Sequence, residues 1–149
     1  MAKLRRALAE RILVFDGAMG TSIQALDLGP EDFGGEEYDG CNEILTVTRP
    51  EALRGIHDDF LAAGADIIET NTFGGTPLVL ADYGLQDRAR ELNRESARIA
   101  REAAAVASTD SRLRFVAGSM GPTTKSLSVT GGATFEEMQD SYRIQAAGL

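Results

Sequence analysis

The chain has 149 residues, 43% of them hydrophobic and 26% charged, the composition of a folded globular polypeptide of one domain or part of one. Fifteen Lys and Arg against 23 Asp and Glu give a net charge of -8, which argues against non-specific nucleic-acid binding, since phosphate contacts need clustered cations. No apolar run approaches the roughly 18 residues that cross a bilayer, and the single cysteine excludes an intrachain disulfide, in keeping with a reducing cytoplasm.

Glu10 and Arg11 follow the basic stretch Met1 to Arg6 too closely for a signal-peptide core, and Lys3 to Glu10 reads as a short helix. Ile12-Leu13-Val14-Phe15 is a continuous apolar run ending at Asp16-Gly17, which suits a strand covered on both faces. Ala18 to Leu26 has helical character. Asp27 to Thr46, rich in Gly and acids, reads as a long loop. Thr48-Arg49-Pro50-Glu51 has the form of a capping box, opening a helix with Leu53, Ile56, Phe60 and Leu61 inward and Gly64 as its stop. Ala65 to Ile68 is a second short strand. Thr76-Pro77 opens a brief helix closed by Gly84. Gln86 to Ala107 carries an apolar stripe of Ala89, Leu92, Ile99, Ala103 and Val106. Its outer face pairs Glu91 with Arg94, Glu95 with Arg98 and Arg98 with Glu102. Arg114 to Gly118 is a third strand. Thr134-Phe135-Glu136-Glu137 starts a last helix, with Phe135, Met138, Tyr142, Ala146 and Leu149 expected inward. Strand alternating with helix implies an α/β fold with parallel strands and crossover helices.

In such folds chemistry gathers at the carboxyl ends of the strands. The first end is Asp16-Gly17-Ala18-Met19-Gly20-Thr21: an anion site with an acid for a cationic group, or a turn with an Asp cap. The second, Glu69-Thr70-Asn71-Thr72-Phe73-Gly74-Gly75, offers a carboxylate, hydroxyls, an amide and an aromatic wall, or is a polar loop with Phe73 in the core. The third, Gly118-Ser119-Met120-Gly121-Pro122-Thr123, reads first as a structural turn. His57 lies on a helix, at the surface or in helix packing. Cys41 has only acidic neighbours in sequence, and Lys125 reads as solvated. One Cys and one His cannot build a four-coordinate zinc site.

Together the three strand ends resemble the homocysteine S-methyltransferase family, through Ile12 to Thr21, Gly64 to Phe73 and the G-S-M-G-P-T-T-K run from Gly118 to Lys125. Asp32-Phe33-Gly34-Gly35 and Cys41-Asn42-Glu43-Ile44-Leu45 with Thr48-Arg49-Pro50 are similar to its cobalamin-dependent methionine synthase branch. The resemblance implies the first three βα units of a (β/α)8 TIM-type barrel, incomplete, with residues 1–149 as the N-terminal part of one domain. It further implies an enzyme that moves a methyl group from methylcobalamin to the thiolate of homocysteine, the thiolate held on zinc by three later cysteines.

By that resemblance Asp16, Gly17 and Ala18 match the amino-acid-binding loop, and Thr70, Asn71, Thr72 and Phe73 match the second-strand loop. No catalytic residue and no metal ligand are expected among these 149 residues, which are expected to be inactive alone. Zinc and cobalamin belong to the full-length enzyme, and the partners implied are homocysteine and its folate, cobalamin and activation modules, with no nucleic acid and no membrane. A cytoplasmic enzyme is expected. The alternatives are a non-catalytic amino-acid-binding module, a truncated and aggregation-prone product, or a related thiol methyltransferase using betaine or S-methylmethionine.

Overall fold

The computed structural model describes residues 2–127 and 132–149 of the chain. In chain order the elements are α1 (Ala2–Glu10), α2 (Met19–Gln24), α3 (Pro30–Phe33), α4 (Leu45–Thr48), α5 (Pro50–Ala63), β1 (Ile67–Glu69), α6 (Pro77–Leu80), α7 (Ala89–Ala107), β2 (Phe115–Ala117) and α8 (Phe135–Gly148). β1 and β2 pair in parallel, Ile67 opposite Phe115 and Glu69 opposite Ala117.

The first apolar run lies on the other side of β1. Phe15 bridges Ile67 in parallel. The Val14 carbonyl accepts the Asp66 and Ile67 amides at 2.7 and 3.1 Å, and the Asp16 amide donates to the Ile67 carbonyl at 2.9 Å. The expected strand is therefore an extended segment with a one-residue bridge. It is not covered on both faces, since Ile12 is 89% and Phe15 51% exposed.

Two apolar clusters form the core. One gathers Ile23, Phe33, Ile44, Leu45, Leu53, Ile56, Leu80 and Leu92 where α2 to α6 meet the start of α7. The other joins Leu61, Ala65 and Ile68 to Ala100, Ala103 and Ala104 of α7. Small side chains on that stripe bring α7 close to β1, as the near-continuous packing of a parallel sheet requires.

At the amino ends of the strands, Asp66 is buried and collects cations. Arg11 holds it bidentately at 2.7 and 2.8 Å, Arg112 at 3.0 Å and Arg114 at 3.4 Å. It also accepts the Val14 amide at 3.1 Å. The Arg11 hydrogen bonds, with those of Val14 and Arg112, hold this carboxyl well below the usual carboxylate range.

Several local expectations change. Thr48 does not cap α5: Arg49 occupies the cap position, and the Thr48 hydroxyl donates to the Ile44 carbonyl at 3.2 Å. The reason is that α4 runs into α5, so Thr48 ends one helix before Pro50 starts the next. The expected long loop holds α3, α4 and two 3-10 turns, Glu36–Tyr38 and Asn42–Ile44. Glu91 pairs with Arg88 instead of Arg94, and Val106 is 77% exposed at the end of α7. On α8 the cap at Thr134 forms with Glu137, but the buried residues are Ser141 and Gln145, while Phe135 is 67% exposed. α8 packs on α7 and α6, and where it meets the Thr72 carbonyl and the Leu78 amide at the start of α6 its buried side chains are the hydrogen-bonding Gln145 and Ser141. Among the described residues no helix is long and apolar enough to cross a membrane.

Candidate functional site

The three strand ends meet at the carboxyl edge of the sheet. Both carboxylate oxygens of Asp16 accept the Glu69 amide, at 3.0 and 3.1 Å. Glu69 in turn accepts the Ser119 hydroxyl at 3.1 Å. The Ser119 amide donates to the Thr70 hydroxyl at 2.9 Å, and the Ser119 carbonyl accepts the Thr72 hydroxyl at 2.7 Å. A carbonyl only accepts, so the Thr72 proton is spent there. The 2.6 Å contact between the two threonine hydroxyls is therefore donated by Thr70.

Asp16 is half-buried. Removal from water pushes its carboxyl up to about 6, with the Glu69 charge adding and the Glu69 amide opposing. A carboxylate placed so is short of a cation. Gly17 and Ala18 are exposed beside it. Ala18 takes the left-handed conformation, φ 55°, and sits at the cap position of α2, which starts at Met19 and ends at Gln24. Left-handed backbone at alanine costs about 1 kcal/mol, so this turn is imposed by its surroundings.

The second strand end is held from several sides. Asn71 donates from its side chain to the Asn42 carbonyl at 2.7 Å and from its amide to the Ser96 hydroxyl at 2.9 Å. The Gly74 amide donates to Glu43 at 2.6 Å, and Asn93 donates to the Gly75 carbonyl at 2.7 Å. Gln145 of α8 donates to the Thr72 carbonyl at 2.6 Å. Thr70, Asn71 and Thr72 are thus buried and bonded, whereas Phe73 is 62% exposed. The Phe73 carbonyl accepts the Gly121 amide at 2.9 Å. The Phe73 ring lies so close that a Cβ at position 121 would meet it at 2.7 Å, so any larger residue there would push the ring from its place. Tyr142 donates to the Gly121 carbonyl at 2.8 Å, fixing the third loop to α8.

The structure thus links Asp16, Glu69 and Ser119 by hydrogen bonds and, separately, Phe73 with Gly121 two residues beyond Ser119, while Asn71 turns to the Asn42 carbonyl of the long segment. Phe73 is not in the core. Glu43, Asn93, Tyr142 and Gln145 escaped sequence reasoning because each reaches the site from a distant helix or loop. The one local sign was a pair of polar residues, Ser141 and Gln145, four apart on one face of α8.

Other candidates lie elsewhere. Cys41 is buried, its thiol pushed up to about 11 by burial and by Glu43, so it is no nucleophile. His57 is buried in α5, with neither ring nitrogen bonded among the described residues. Lys125 reaches Asp82 at 3.2 Å. Among the described residues no group of three His, Cys, Asp or Glu side chains is arranged for a metal ion. A groove of about 600 Å³ runs between α7 and β2, lined by Ala97, Arg101, Ala104, Arg114 and Val116, and reaches Thr70 and Gly118 at the strand ends.

The family model for homocysteine S-methyltransferase matches residues 13–149. A methionine synthase of Mycobacterium tuberculosis is 46% identical over 142 residues, 95% of this chain and 12% of that protein. One of Mycobacterium leprae is 44% identical over 146 residues, again 12% of its length. Crystal structures of the homocysteine methyltransferase MmuM from Escherichia coli, metallated and oxidized, match with a TM-score of 0.76 at 25% and 27% identity, over 98% of this chain and 52% of theirs. The chain thus spans about an eighth of the curated relatives' length and about half of the solved ones. On its sequence and its fold, the chain belongs to the homocysteine S-methyltransferase family.

Proposed function

We propose that these residues form the homocysteine-holding part of a methionine synthase, built as the first three βα units of a (β/α)8 barrel. The observation that carries this reading is the linkage Asp16–Glu69–Ser119, which joins three strand ends in one mouth. Asp16 takes the ammonium group of the amino acid, the cation that its burial calls for. The backbone at Gly17 and Ala18 takes the carboxylate. Phe73 lines the path of the methylene stem. Thr70, Asn71 and Thr72 hold their loop through the bonds described above, so their contribution is shape.

Methyl transfer needs the thiol ionised, which a bound zinc supplies in the full-length enzyme, with methylcobalamin as donor. The residues present do not fit that metal. Cys41 is a buried thiol beside a carboxylate, and His57 lies on α5 with no bonded partner among the described residues. No step of thiol activation is therefore assigned to them, and the chain alone is expected to be inactive. Folate, cobalamin and activation modules are its proposed partners.

Calorimetry tests the reading. Homocysteine should bind the 149-residue chain saturably without zinc, and Asp16→Ala should weaken binding by about tenfold, the loss of one charge-assisted bond. Absence of saturable heat with the wild-type chain, or unchanged binding in Asp16→Ala, would refute it. A separate assay with zinc and methylcobalamin should yield no methionine, and clear turnover would overturn the expected inactivity.

A further inference from the structure

Glu43 is a buried carboxylate in the segment between α3 and α4, outside every strand end. Among the described residues it has no Lys or Arg partner within ion-pair distance. Its strong contact is the Gly74 amide at 2.6 Å, and its other oxygen lies 4.0 Å from the Cys41 sulfur. A buried acid with one amide donor and no cation is an expensive way to stabilise a fold, since an apolar or amide side chain would serve with less desolvation.

What Glu43 holds explains its place. Gly74 follows Phe73 directly. The Phe73 carbonyl bonds the Gly121 amide at 2.9 Å and its ring covers Gly121. The space beside Gly74 is filled by the carboxylate, which a Cβ there would meet at 2.9 Å. One residue back in the tether, the Asn42 carbonyl takes the Asn71 side chain at 2.7 Å. Two consecutive residues, Asn42 and Glu43, therefore clamp the loop at two points on either side of Thr72 and Phe73.

We propose that Glu43 is a positioning residue of the homocysteine pocket, fixing the Gly74 amide so that the Phe73 ring stands against Gly121 at the mouth. The proposal rests on the pocket reading above. Glu43 does not touch the substrate; it sets the wall that the substrate meets. Burial pushes the Glu43 carboxyl up and the Gly74 amide opposes that shift; what the loop tip needs from this position is a side-chain oxygen placed to accept that amide.

The test compares the wild-type chain with Glu43→Gln and Glu43→Ala by homocysteine calorimetry, thermal melting and hydrogen exchange at the Gly74 amide. Glutamine keeps an acceptor for that amide and should bind homocysteine within about threefold of wild type, with Gly74 still protected. Alanine should lose Gly74 protection and bind at least about tenfold more weakly at a temperature where its melt shows it folded. If alanine binds as tightly as wild type, or glutamine fails as badly as alanine, the role of Glu43 is overturned while the pocket stands. A wild-type chain that binds no homocysteine overturns the pocket, and the role of Glu43 falls with it.

Discussion

Asp16 and His57 bend the pH dependence of stability in opposite directions. Burial raises Asp16 from 3.8 to about 6, so its contribution is present below pH 4 and lost as pH rises through 6. Asp16→Asn should therefore raise stability above pH 6 by roughly 1 kcal/mol, given the screening of a half-exposed group, read as a higher melting temperature, while weakening homocysteine binding. Burial lowers His57 from 6.5 to about 4, so its contribution is full above 6.5 and lost as pH falls toward 4. His57→Leu should flatten that acid limb in melts recorded from pH 4 to 7. Lower still, Asp66 contributes above about pH 4 and that stability disappears below it, because its arginine partners hold the folded carboxyl down. The sequence left His57 open between the surface and helix packing and gave Asp66 no role. Asp66 stands between Ala65 and Ile67 and His57 between Ile56 and Asp58, and the packing of α5 and the strand entries decides what each does.

Elements show where the sequence was legible and where it was not. The alternation of apolar runs with amphipathic stretches gave the order of strands and helices, because burial against a parallel sheet imposes those periods. Thr76 and Thr134 were legible as caps since each does bond an amide three residues on, Val79 and Glu137. Thr48 had the same pattern but served the preceding helix, a choice that depends on where α4 ends. The apolar stripe expected of α8 failed for a related reason: Gln145 meets the Thr72 carbonyl of the second loop and Ser141 the Leu78 amide in the first turn of α6, two backbone groups that need partners. At the strand entries, Asp66→Asn would leave Arg11, Arg112 and the buried Arg114 without their counter-charge. About 3 kcal/mol of stability should be lost in urea unfolding, the cost of breaking one side of a buried ion cluster. At the loop, a Cβ at Gly75 would meet Asn93 at 2.7 Å and the Thr72 carbonyl at 3.0 Å. Gly75→Ala should therefore cost about 2 kcal/mol in the same assay.

On the scale of the molecule, β1 is flanked on both sides, by Phe15 and by β2, whereas the far edge of β2 has no strand paired to it among the described residues. An unpaired edge beside a groove lined by Ala97, Ala104 and Val116 invites association. Sedimentation of the 149-residue chain should show loss of monomer as concentration rises. Val116→Lys should suppress it, while a monomer that persists at every concentration would mean the edge is adequately protected by α7 alone. The convergence of three loops was legible as motifs in a fixed order, but their junction at Ser119 was not, since a serine hydroxyl has no sequence signature.

Phe73, half out of its loop and braced on Gly121, has an experimental use. The chain contains no tryptophan, so Phe73→Trp would install a single indole at the entrance. Its emission would report directly on wetting and closure there as an amino acid arrives, with no other fluorophore of that kind to subtract.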